Sequence, residues 1–370
     1  MTVRVLITGA GGFIGRNLSL RLSEIDSISV LKLTRESDQK ALRASIAEAD
    51  FIIHLAGVNR PTDPADFDAG NHQATRELAT AIEDSGKAIP IAFASSTKVT
   101  ENSAYGQSKL AAEQALLEYG TRSGASVYLM RLPNVFGKWA RPNYNSAVAT
   151  FCYNIARGLP IRVDNPSASL TLIYIDDLAD AIIDLIARQP SLRGTIEVGP
   201  TYSATVGEIA EIIQGFREDR TRGLIGSVGI GLSRALYATY IAGLPTGQFS
   251  YEVAGHVDPR GTFVELLKTR TSGQFSYFTA HPGVTRGGHY HHSKVEKFLV
   301  LQGQAVFRFR HMVTGEQHEV RTSGDNPTVV ETIPGWTHDI TNVSGETLIC
   351  MLWANEIFDR ERPDTIAEIL

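Results

Sequence analysis

The sequence predicts two domains of different class: an α/β domain with a doubly wound parallel sheet, followed by an all-β domain. The 370 residues exceed one ordinary hydrophobic core. The first half alternates apolar runs with amphipathic stretches, which is typical of βαβ units. After about residue 245, short alternating runs separated by Gly, Pro, Asn and Asp indicate an antiparallel sandwich or barrel. We therefore predict domains over residues 1–245 and 246–370.

The composition excludes several classes of protein. Lys and Arg number 35 against 40 Asp and Glu, so no basic excess is present to neutralise nucleic-acid phosphates. The two cysteines, Cys152 and Cys350, lie far apart and build neither a disulfide framework nor a thiolate metal site, which fits a reducing cytoplasm. We expect no signal peptide and no membrane partner. The apolar stretch Leu224–Leu244 carries Arg234 and glycines, and we interpret it as helical packing at a domain or subunit contact.

The first half contains five candidate parallel strands and two clear amphipathic helices. The strands are Val3–Thr8, Val30–Leu33, Phe51–Leu55, Ile91–Ser95 and Val127–Arg131, and the helical stretches are Arg16–Ser23 and Ser108–Tyr119.

A glycine loop follows the first strand and precedes the first helix. Gly9 permits a tight turn, Gly12 lets the backbone approach a pyrophosphate, and Gly15 lets the helix pack close to the strand. The helix N-terminus offers free N–H groups to phosphates. This context predicts a dinucleotide site rather than a structural turn.

The end of the second strand indicates which dinucleotide binds. An NAD enzyme usually has a carboxylate there for the ribose hydroxyls. Here the strand ends with Leu33-Thr34-Arg35, and no acid stands at its end; Asp38 comes a few residues later. Arg35 can pair with a 2′-phosphate, so we predict NADPH over NADH. The alternative is that Arg35 is a solvated surface residue.

Tyr105 and Lys109 are four residues apart and share a helix face. A lysine ammonium near a phenol lowers the tyrosine pKa, and the pair can then move a proton beside a carbonyl or alcohol. One hydroxyl of Ser95, Ser96 or Thr97, after the fourth strand, would hold the substrate oxygen, and we favour Ser96. By itself the tyrosine–lysine spacing is common in surface helices.

Taken together, these motifs resemble the extended short-chain dehydrogenases/reductases that act on nucleotide sugars. The resemblance covers residues 1 to about 210 and includes His54-Leu-Ala-Gly57, Asn71 and Arg131-Leu-Pro-Asn134. It implies a Rossmann-type fold and a catalytic trio of Ser96, Tyr105 and Lys109. The residues that it assigns to the cofactor are Gly9, Gly12, Phe13, Ile14, Gly15, Arg35, Leu55, Ala56, Gly57, Tyr105 and Lys109.

The second half contains eight of the ten histidines. In a strand, His289 and His291 point to the same face, and a hairpin over residues 292–295 would bring Glu296 beside them. His338 can add a fourth ligand from another strand. Three imidazoles and a carboxylate suit Zn, Mn, Fe, Ni or Cu.

The run from Gly283 to Gly303 resembles the first motif of the cupin family, and Gly335, His338 and Asn342 match its second motif. The resemblance implies a cupin β-barrel in which His289, His291, Glu296 and His338 bind a divalent metal, which we expect to be Zn. The six candidate strands are Thr262–Lys268, Gln274–Thr279, Glu296–Leu301, Ala305–His311, Thr328–Ile333 and Leu348–Ala354.

A reductase joined to a cupin resembles the CapF family of bifunctional capsular-polysaccharide enzymes. That resemblance implies that the cupin epimerises carbon 3 of a UDP-4-keto-6-deoxy-N-acetylhexosamine and that the reductase then reduces carbon 4 with NADPH. The product would be the UDP-linked 6-deoxy-L-talose form of the N-acetyl sugar, a precursor of N-acetyl-L-fucosamine. The base of the epimerisation stays open among His292, Lys294, Lys297 and His281.

Two other functions remain open on the sequence. One is an NADPH-dependent reductase whose cupin is only a structural or sugar-binding module. The other is a redox sensor without catalysis, against which Tyr105 and Lys109 argue, because cofactor binding alone needs neither. We expect a homodimer, since closed homo-oligomers are common.

Overall fold

The computed structural model describes residues 2–361 and 363–370. The chain forms two compact units. The first comprises the residues up to Gln214 together with Gly229–Pro245, and the second comprises Gly215–Val228 and Thr246–Leu370. These units differ from the predicted domains in residues 215–228. That segment belongs to the second unit because Leu224–Ile225 pairs as a strand with Lys268–Thr269.

The elements follow one another in alternating helices and strands up to residue 242 and almost entirely in strands thereafter. In chain order they are β1 (Val3–Thr8), α1 (Phe13–Ser23), β2 (Ile28–Leu33), α2 (Gln39–Glu48), β3 (Phe51–His54), a π-helical turn (Asp68–Gln73), α3 (Ala74–Asp84), β4 (Ile91–Ser96), a 3₁₀ turn (Thr97–Thr100), α4 (Ala104–Ser123), β5 (Val127–Leu132), β6 (Asn134–Phe136), α5 (Ala147–Ala156), β7 (Ser169–Tyr174), α6 (Ile175–Arg188), β8 (Arg193–Ile196), β9 (Thr201–Thr205), α7 (Val206–Thr221), β10 (Leu224–Ile225), α8 (Gly231–Ala242), a 3₁₀ turn (Thr246–Gln248), β11 (Gly255–Asp258), β12 (Gly261–Thr269), β13 (Gln274–Ala280), β14 (Thr285–Tyr290), β15 (Glu296–Gln302), β16 (Gln304–His311), β17 (Gln317–Ser323), β18 (Val329–Glu331), β19 (Trp336–Asn342), β20 (Leu348–Ala354) and β21 (Ile366–Ala367).

The first unit is built on a six-stranded sheet with the order β2-β1-β3-β4-β5-β8, in which every neighbouring pair is parallel. The five predicted strands are confirmed to within two residues at each end. The strand order reverses between β1 and β3, and in such sheets the ligand crevice lies beyond the carboxyl ends of the strands at that reversal. The glycine loop follows β1 at this point. A second, three-stranded sheet, β6-β7-β9, was not predicted.

The second unit contains two sheets with mainly antiparallel pairing. One has the order β10-β12-β13-β20-β15-β18, with β11 paired to β12, and the other has the order β17-β16-β19-β14-β21. Phe278, Phe298 and Cys350 from the first sheet share one buried core with Phe307 and Ile340 from the second. The predicted fold class, α/β followed by all-β, is therefore confirmed. The histidine-bearing strands β14 and β19 are adjacent.

The apolar stretch Leu224–Leu244 is not one helical segment, contrary to our interpretation. Leu224–Ile225 forms β10, whereas Gly231–Ala242 forms α8, which packs on α5 within the first unit. Leu236 and Tyr240 of α8 are buried. Among the residues that the structure describes, no helix is long and apolar enough to cross a membrane.

The core of the second unit gives a test of its packing. Phe307 is 1% exposed between the two sheets, so Phe307→Ala removes a full aromatic ring and leaves a cavity. We expect the free energy of unfolding to fall by about 3–5 kcal/mol, measured by chemical denaturation. Val313→Ala, at a position that is 89% exposed, is the matched control and should change it by less than about 0.5 kcal/mol. Equal effects of the two variants would contradict the shared core.

Candidate active site and metal cluster

A cavity of about 840 Å³ lies at the carboxyl ends of β1 and β3. Its wall is formed by the glycine loop, the segment after β2 and the segment after β3. Six of the residues predicted for the cofactor line it: Gly9, Gly12, Arg35, Leu55, Ala56 and Gly57. The other five, Phe13, Ile14, Gly15, Tyr105 and Lys109, do not belong to its lining, because the first three form the opening turn of α1 and the last two lie on α4.

The glycine loop is tightly constrained by its surroundings. Gly9 has a φ of +70°, and a Cβ on it would lie 2.7 Å from the backbone nitrogen of Ala56. A Cβ on Gly15 would collide with the carbonyl oxygen of Gly9, so only glycine lets α1 approach the loop this closely. Gly12 is the N-cap of α1 and provides no side-chain cap, which leaves the first N–H groups of the helix open to an anion.

The segment after β2 places both residues considered for the ribose on the cavity wall. Arg35 is exposed on the cavity wall. Asp38 is the N-cap of α2, where its carboxylate accepts a hydrogen bond from the Ala41 N–H at 2.8 Å. Asp38 thus uses one carboxylate oxygen to cap α2, while Arg35, Glu36 and Asp38 all line the cavity.

His54, at the end of β3, forms a buried chain of hydrogen bonds that was not assigned a role from the sequence. Its Nε2 lies 2.9 Å from the hydroxyl of Thr75, and that hydroxyl donates to the Asn71 carbonyl at 2.6 Å. The Thr75 oxygen must then accept from Nε2–H, so Nδ1 accepts from Thr8 Oγ1 at 2.6 Å. Burial, with a smaller contribution from the positive charge of Lys109, lowers the pKa of His54 to about 3.

Asn71 connects the cavity wall to α4 from within the π-helical turn. Its side-chain oxygen accepts from the Val58 N–H at 2.9 Å, and its amide donates to the Val58 carbonyl at 3.0 Å and to Ser108 Oγ at 3.1 Å. A Cβ on Gly57 would lie 2.7 Å from the Asn71 oxygen and 3.2 Å from Lys109 Nζ. The absence of a side chain at position 57 thus lets both groups reach the site.

The three candidate hydroxyls after β4 have different environments. Ser95 Oγ donates to Glu113 Oε1 at 2.5 Å in the protein interior, and Thr97 is exposed. Ser96 is buried, and its side chain forms a hydrogen bond with that of Tyr105. The geometry therefore favours Ser96 as the partner of Tyr105.

The pKa of Tyr105 differs from our expectation. We expected Lys109 to lower it, but burial of the phenol raises the pKa of Tyr105, and the hydrogen bond with Ser96 only partly opposes this. Lys109 Nζ donates to the Ala94 carbonyl at 2.9 Å and lies 4.6 Å from the centre of the Phe93 ring. Burial lowers the pKa of Lys109 to about 8, and the nearby carboxylate of Glu113 opposes this shift.

Glu113, on α4, contacts residues next to the site, and the sequence analysis did not identify it. It is 2% exposed and forms two hydrogen bonds with Arg131, at 3.0 and 2.8 Å. Together with its contact to Ser95, this pair joins α4, β4 and β5. No spacing rule links residues 95, 113 and 131, so the sequence carried no signal for the cluster.

The four predicted metal ligands meet inside the second unit. One ligand atom from each of His289, His291, Glu296 and His338 lies within 4.8 Å of the others. His291 Nε2 is 3.2 Å and His338 Nε2 is 3.5 Å from the same carboxylate oxygen, Glu296 Oε2. Burial disfavours the Glu296 charge, but the close approach of the two imidazoles and the charge of Lys294 hold the pKa of its carboxyl well below the usual range. Burial lowers the pKa of His289 to about 4.

The predicted hairpin between His291 and Glu296 is wrong in one respect. β14 pairs with β19 and β21, whereas β15 pairs with β18 and β20 in the other sheet. The short link therefore crosses between sheets. His291 and Glu296 still meet, because they occupy the two ends of this crossing.

The donor set fits a divalent transition metal. His291 Nδ1–H donates to the carbonyl oxygen of Asp364, so the neutral ring turns its Nε2 lone pair toward Glu296 Oε2, which is also an acceptor. Two facing acceptors need a proton or a cation between them. In addition, both ring nitrogens of His338 are buried without a hydrogen-bond partner in the described structure. Three imidazoles and one carboxylate are the ligands that Zn and its neighbours take.

The four candidate bases of the epimerisation lie at different distances from this cluster. Lys294 is buried, and its Nζ is 3.2 Å from Glu296 Oε1. His292 and His281 are exposed, and Lys297 is an exposed partner of Glu331. Of the four, Lys294 is the one that contacts a predicted ligand.

Comparisons with known proteins agree with this two-unit architecture. Residues 5–199 match the NAD dependent epimerase/dehydratase family, and residues 256–366 match the polysaccharide biosynthesis C-terminal domain. A UDP-2-acetamido-2,6-beta-L-arabino-hexul-4-ose reductase of Pseudomonas aeruginosa is 54% identical over 365 residues, which cover 99% of this chain and 98% of the relative.

Solved structures show the same fold over the whole chain. The capsular polysaccharide assembling protein CapF of Staphylococcus aureus has a TM-score of 0.92 at 39% identity, covering 99% of this chain and 100% of that one. RMD of Pseudomonas aeruginosa, solved with NADPH, has a TM-score of 0.56 at 21% identity and covers 66% of this chain and 98% of its own, which shows the fold of the first unit.

The buried network of His54 predicts a fixed tautomer. We expect nitrogen-15 NMR to show a neutral Nε2–H imidazole that does not titrate above about pH 4, since the folded-state pKa is lowered to about 3. In the unfolded chain the histidine has a pKa of about 6.5, so below that pH the unfolded state binds a proton that folded His54 does not. The free energy of unfolding should therefore fall as the pH drops from 6.5 toward 3. A midpoint near 6.5 for His54 would contradict the network.

Proposed function

The chain belongs to the NAD dependent epimerase/dehydratase family, and we propose that it is a bifunctional nucleotide-sugar enzyme. The second unit epimerises carbon 3 of a UDP-4-keto-6-deoxy-N-acetylhexosamine, and the first reduces carbon 4 with NADPH. The product is a UDP-linked 6-deoxy-L-talose form of the N-acetyl sugar, for capsular or O-antigen polysaccharide. We place the enzyme in the cytoplasm as a homodimer.

The choice of substrate rests on the relatives. The Pseudomonas aeruginosa protein is named as the reductase of a UDP-linked 4-keto sugar, and it aligns with nearly the whole of this chain. The Staphylococcus aureus structure is that of a protein of capsular polysaccharide assembly. Both alignments include the second unit, so the substrate proposal takes account of both units.

The reduction uses the residues around Tyr105. NADPH, when bound, supplies the hydride for carbon 4 of the ketone. Ser96 and Tyr105 form a hydrogen-bonded pair, and their hydroxyls hold the ketone oxygen of the substrate. Because the pKa of Tyr105 is raised, its phenol stays protonated until hydride transfer makes the substrate oxygen basic. Tyr105 then donates that proton to the new alkoxide. Lys109 is not among the groups that shift the pKa of Tyr105, and we assign it the orientation of the NADPH ribose.

NADPH is favoured over NADH by the cavity wall. Arg35 is exposed at the end of β2, and its planar guanidinium suits a 2′-phosphate. Asp38, which follows a few residues later, also lines the cavity but uses one carboxylate oxygen to cap α2.

The epimerisation uses the four-residue cluster of the second unit. The ketone at carbon 4 acidifies the proton at carbon 3, which a base must remove and return. His289, His291, Glu296 and His338 would hold a divalent metal, which we propose is Zn. Such a metal supplies Lewis acidity, which stabilises negative charge on a substrate oxygen.

The observation that carries the proposal is the presence of two separate chemical centres in one chain. The first unit holds a Ser–Tyr–Lys set beside a dinucleotide cavity, and the second holds three histidines and a glutamate within 4.8 Å. A reductase alone needs only the first centre.

A second function is favoured by the name of the Pseudomonas aeruginosa relative, which states reduction alone. In that case the second unit grips the sugar or stabilises the fold, and its metal does no chemistry. Incubation with the UDP-4-keto-6-deoxy-N-acetylhexosamine in heavy water, with and without NADPH, separates the two. Deuterium at carbon 3 without NADPH supports epimerisation, and its absence supports the reductase alone.

Tyr105→Phe should stop reduction and spare exchange. Loss of the proton donor is expected to lower the rate of NADPH oxidation by about 100-fold or more. Deuterium uptake at carbon 3, followed by mass spectrometry, should stay near the wild-type rate. Tyr153→Phe, on α5, is the matched control. Loss of both activities in Tyr105→Phe would contradict separate centres.

His291→Ala should have the opposite effect. Removing one of four ligands is expected to weaken metal binding, and with it deuterium exchange, by roughly 100-fold or more. NADPH binding to the first unit, followed by fluorescence, should not change. The exposed His256→Ala serves as control. Unchanged exchange in a His291→Ala preparation free of metal would exclude the metal from the mechanism.

A further inference from the structure

The segment Asp364–Ile369, which we call the strap, contacts β14, β19 and the link from His291 to Lys294 that precedes Glu296. It was not singled out by any motif. It lies along β14 and ends beside β16 and β19. Its contacts fall into three groups: those with the link between His291 and Glu296, that with the His291 ring, and those near His289 and His338.

The first group organises the link between His291 and Glu296. The carboxylate of Asp364 accepts hydrogen bonds from three successive backbone N–H groups, those of His292 at 2.9 Å, Ser293 at 2.7 Å and Lys294 at 2.8 Å. The Ser293 hydroxyl adds a fourth at 3.0 Å. The Asp364 side chain therefore fixes three of the four residues of the crossing, and Asn355 Oδ1 accepts from the N–H of the fourth, Val295, at 2.9 Å.

The second group fixes the tautomer of a ligand. His291 Nδ1–H donates to the backbone carbonyl of Asp364. With the proton held on Nδ1, Nε2 presents its lone pair to the cluster. Metal-binding histidines usually depend on such a partner on their second nitrogen.

The third group holds the remaining histidines. Ala367 pairs with His289 in the β14–β21 ladder, and the Glu368 N–H donates to the Gly288 carbonyl at 2.9 Å. The Thr337 hydroxyl donates to the Glu368 carbonyl at 3.0 Å, next to His338 in the chain. The Arg310 guanidinium bonds the Glu368 carboxylate at 2.6 Å and anchors the strap to β16.

We propose that Asp364 is a positioning residue that presets the metal ligands through the strap. Its carboxylate locks the 292–294 backbone, its carbonyl orients His291, and β21 fixes His289. Asp364 does not itself belong to the ligand cluster. This inference rests on the proposed metal site and adds a determinant of its affinity.

The test compares metal binding by full-length variants. Metal-stripped wild type, Asp364→Ala and Asp364→Asn are titrated with Zn²⁺ against a chromophoric chelator, and then with Co²⁺ while its visible absorption bands are recorded. Asp325→Ala makes the same charge change in an exposed turn between β17 and β18 and is the control. Melting of each metal-free variant reports folding separately from binding.

We expect Asp364→Ala to lose about 10- to 100-fold in Zn²⁺ affinity and to shift the Co²⁺ bands, because the carboxylate no longer fixes the 292–294 backbone between His291 and Glu296. Asp364→Asn keeps the shape and one acceptor and should lose less. If Asp364→Ala fails to fold, the Zn²⁺ affinity and the Co²⁺ spectrum of Asp364→Asn test the proposal. Wild-type affinity and an unchanged Co²⁺ spectrum in the folded variants would overturn this inference alone. A wild type that binds neither ion would overturn the metal-dependent function as well.

Discussion

Burial of titratable groups beside fixed partners is the constraint on which both chemical centres depend. In the first unit, burial keeps His54 neutral and lowers the pKa of Lys109 to about 8, with Glu113 placed to limit that shift. In the second unit, Glu296 stays ionised in the interior only because imidazoles and Lys294 surround it. An unpaired charge in such positions would be expelled or neutralised. The packing around each group therefore decides its protonation state, and so the chemistry that it can perform.

Sequence patterns predicted the parts of the fold that follow from local periodicity. The buried runs of β1, β3, β4 and β5 are rich in Val, Ile and Phe and stand between helices, so their strands and their parallel pairing followed directly. The glycine loop could also be predicted from the sequence, because the roles of Gly9 and Gly15 depend on the absence of a side chain.

Contacts between segments that are distant in the sequence could not be predicted from local periodicity. The spacing of His291 and Glu296 is compatible with a hairpin or with a crossing between sheets, and only the pairing of β14 and β15 with different partners distinguishes them. The two-residue strand β10 is too short to carry a periodic signal. The expectation that Lys109 lowers the pKa of Tyr105 omitted desolvation of the phenol, which depends on three-dimensional packing.

The π-helical turn over Asp68–Gln73 has a consequence for how this part of the chain can vary. A π-turn accommodates one more residue than the α-helix that follows it, in continuity with α3. Each residue of an α-helix turns the chain by about 100°, so removal of the extra residue would swing Asn71 off the side that faces Val58 and Ser108. Substitutions on the outer side of this turn are compatible with the architecture, whereas a change in its length is not. The residue count of this segment is thus fixed together with Asn71, and only its outer positions are free to vary.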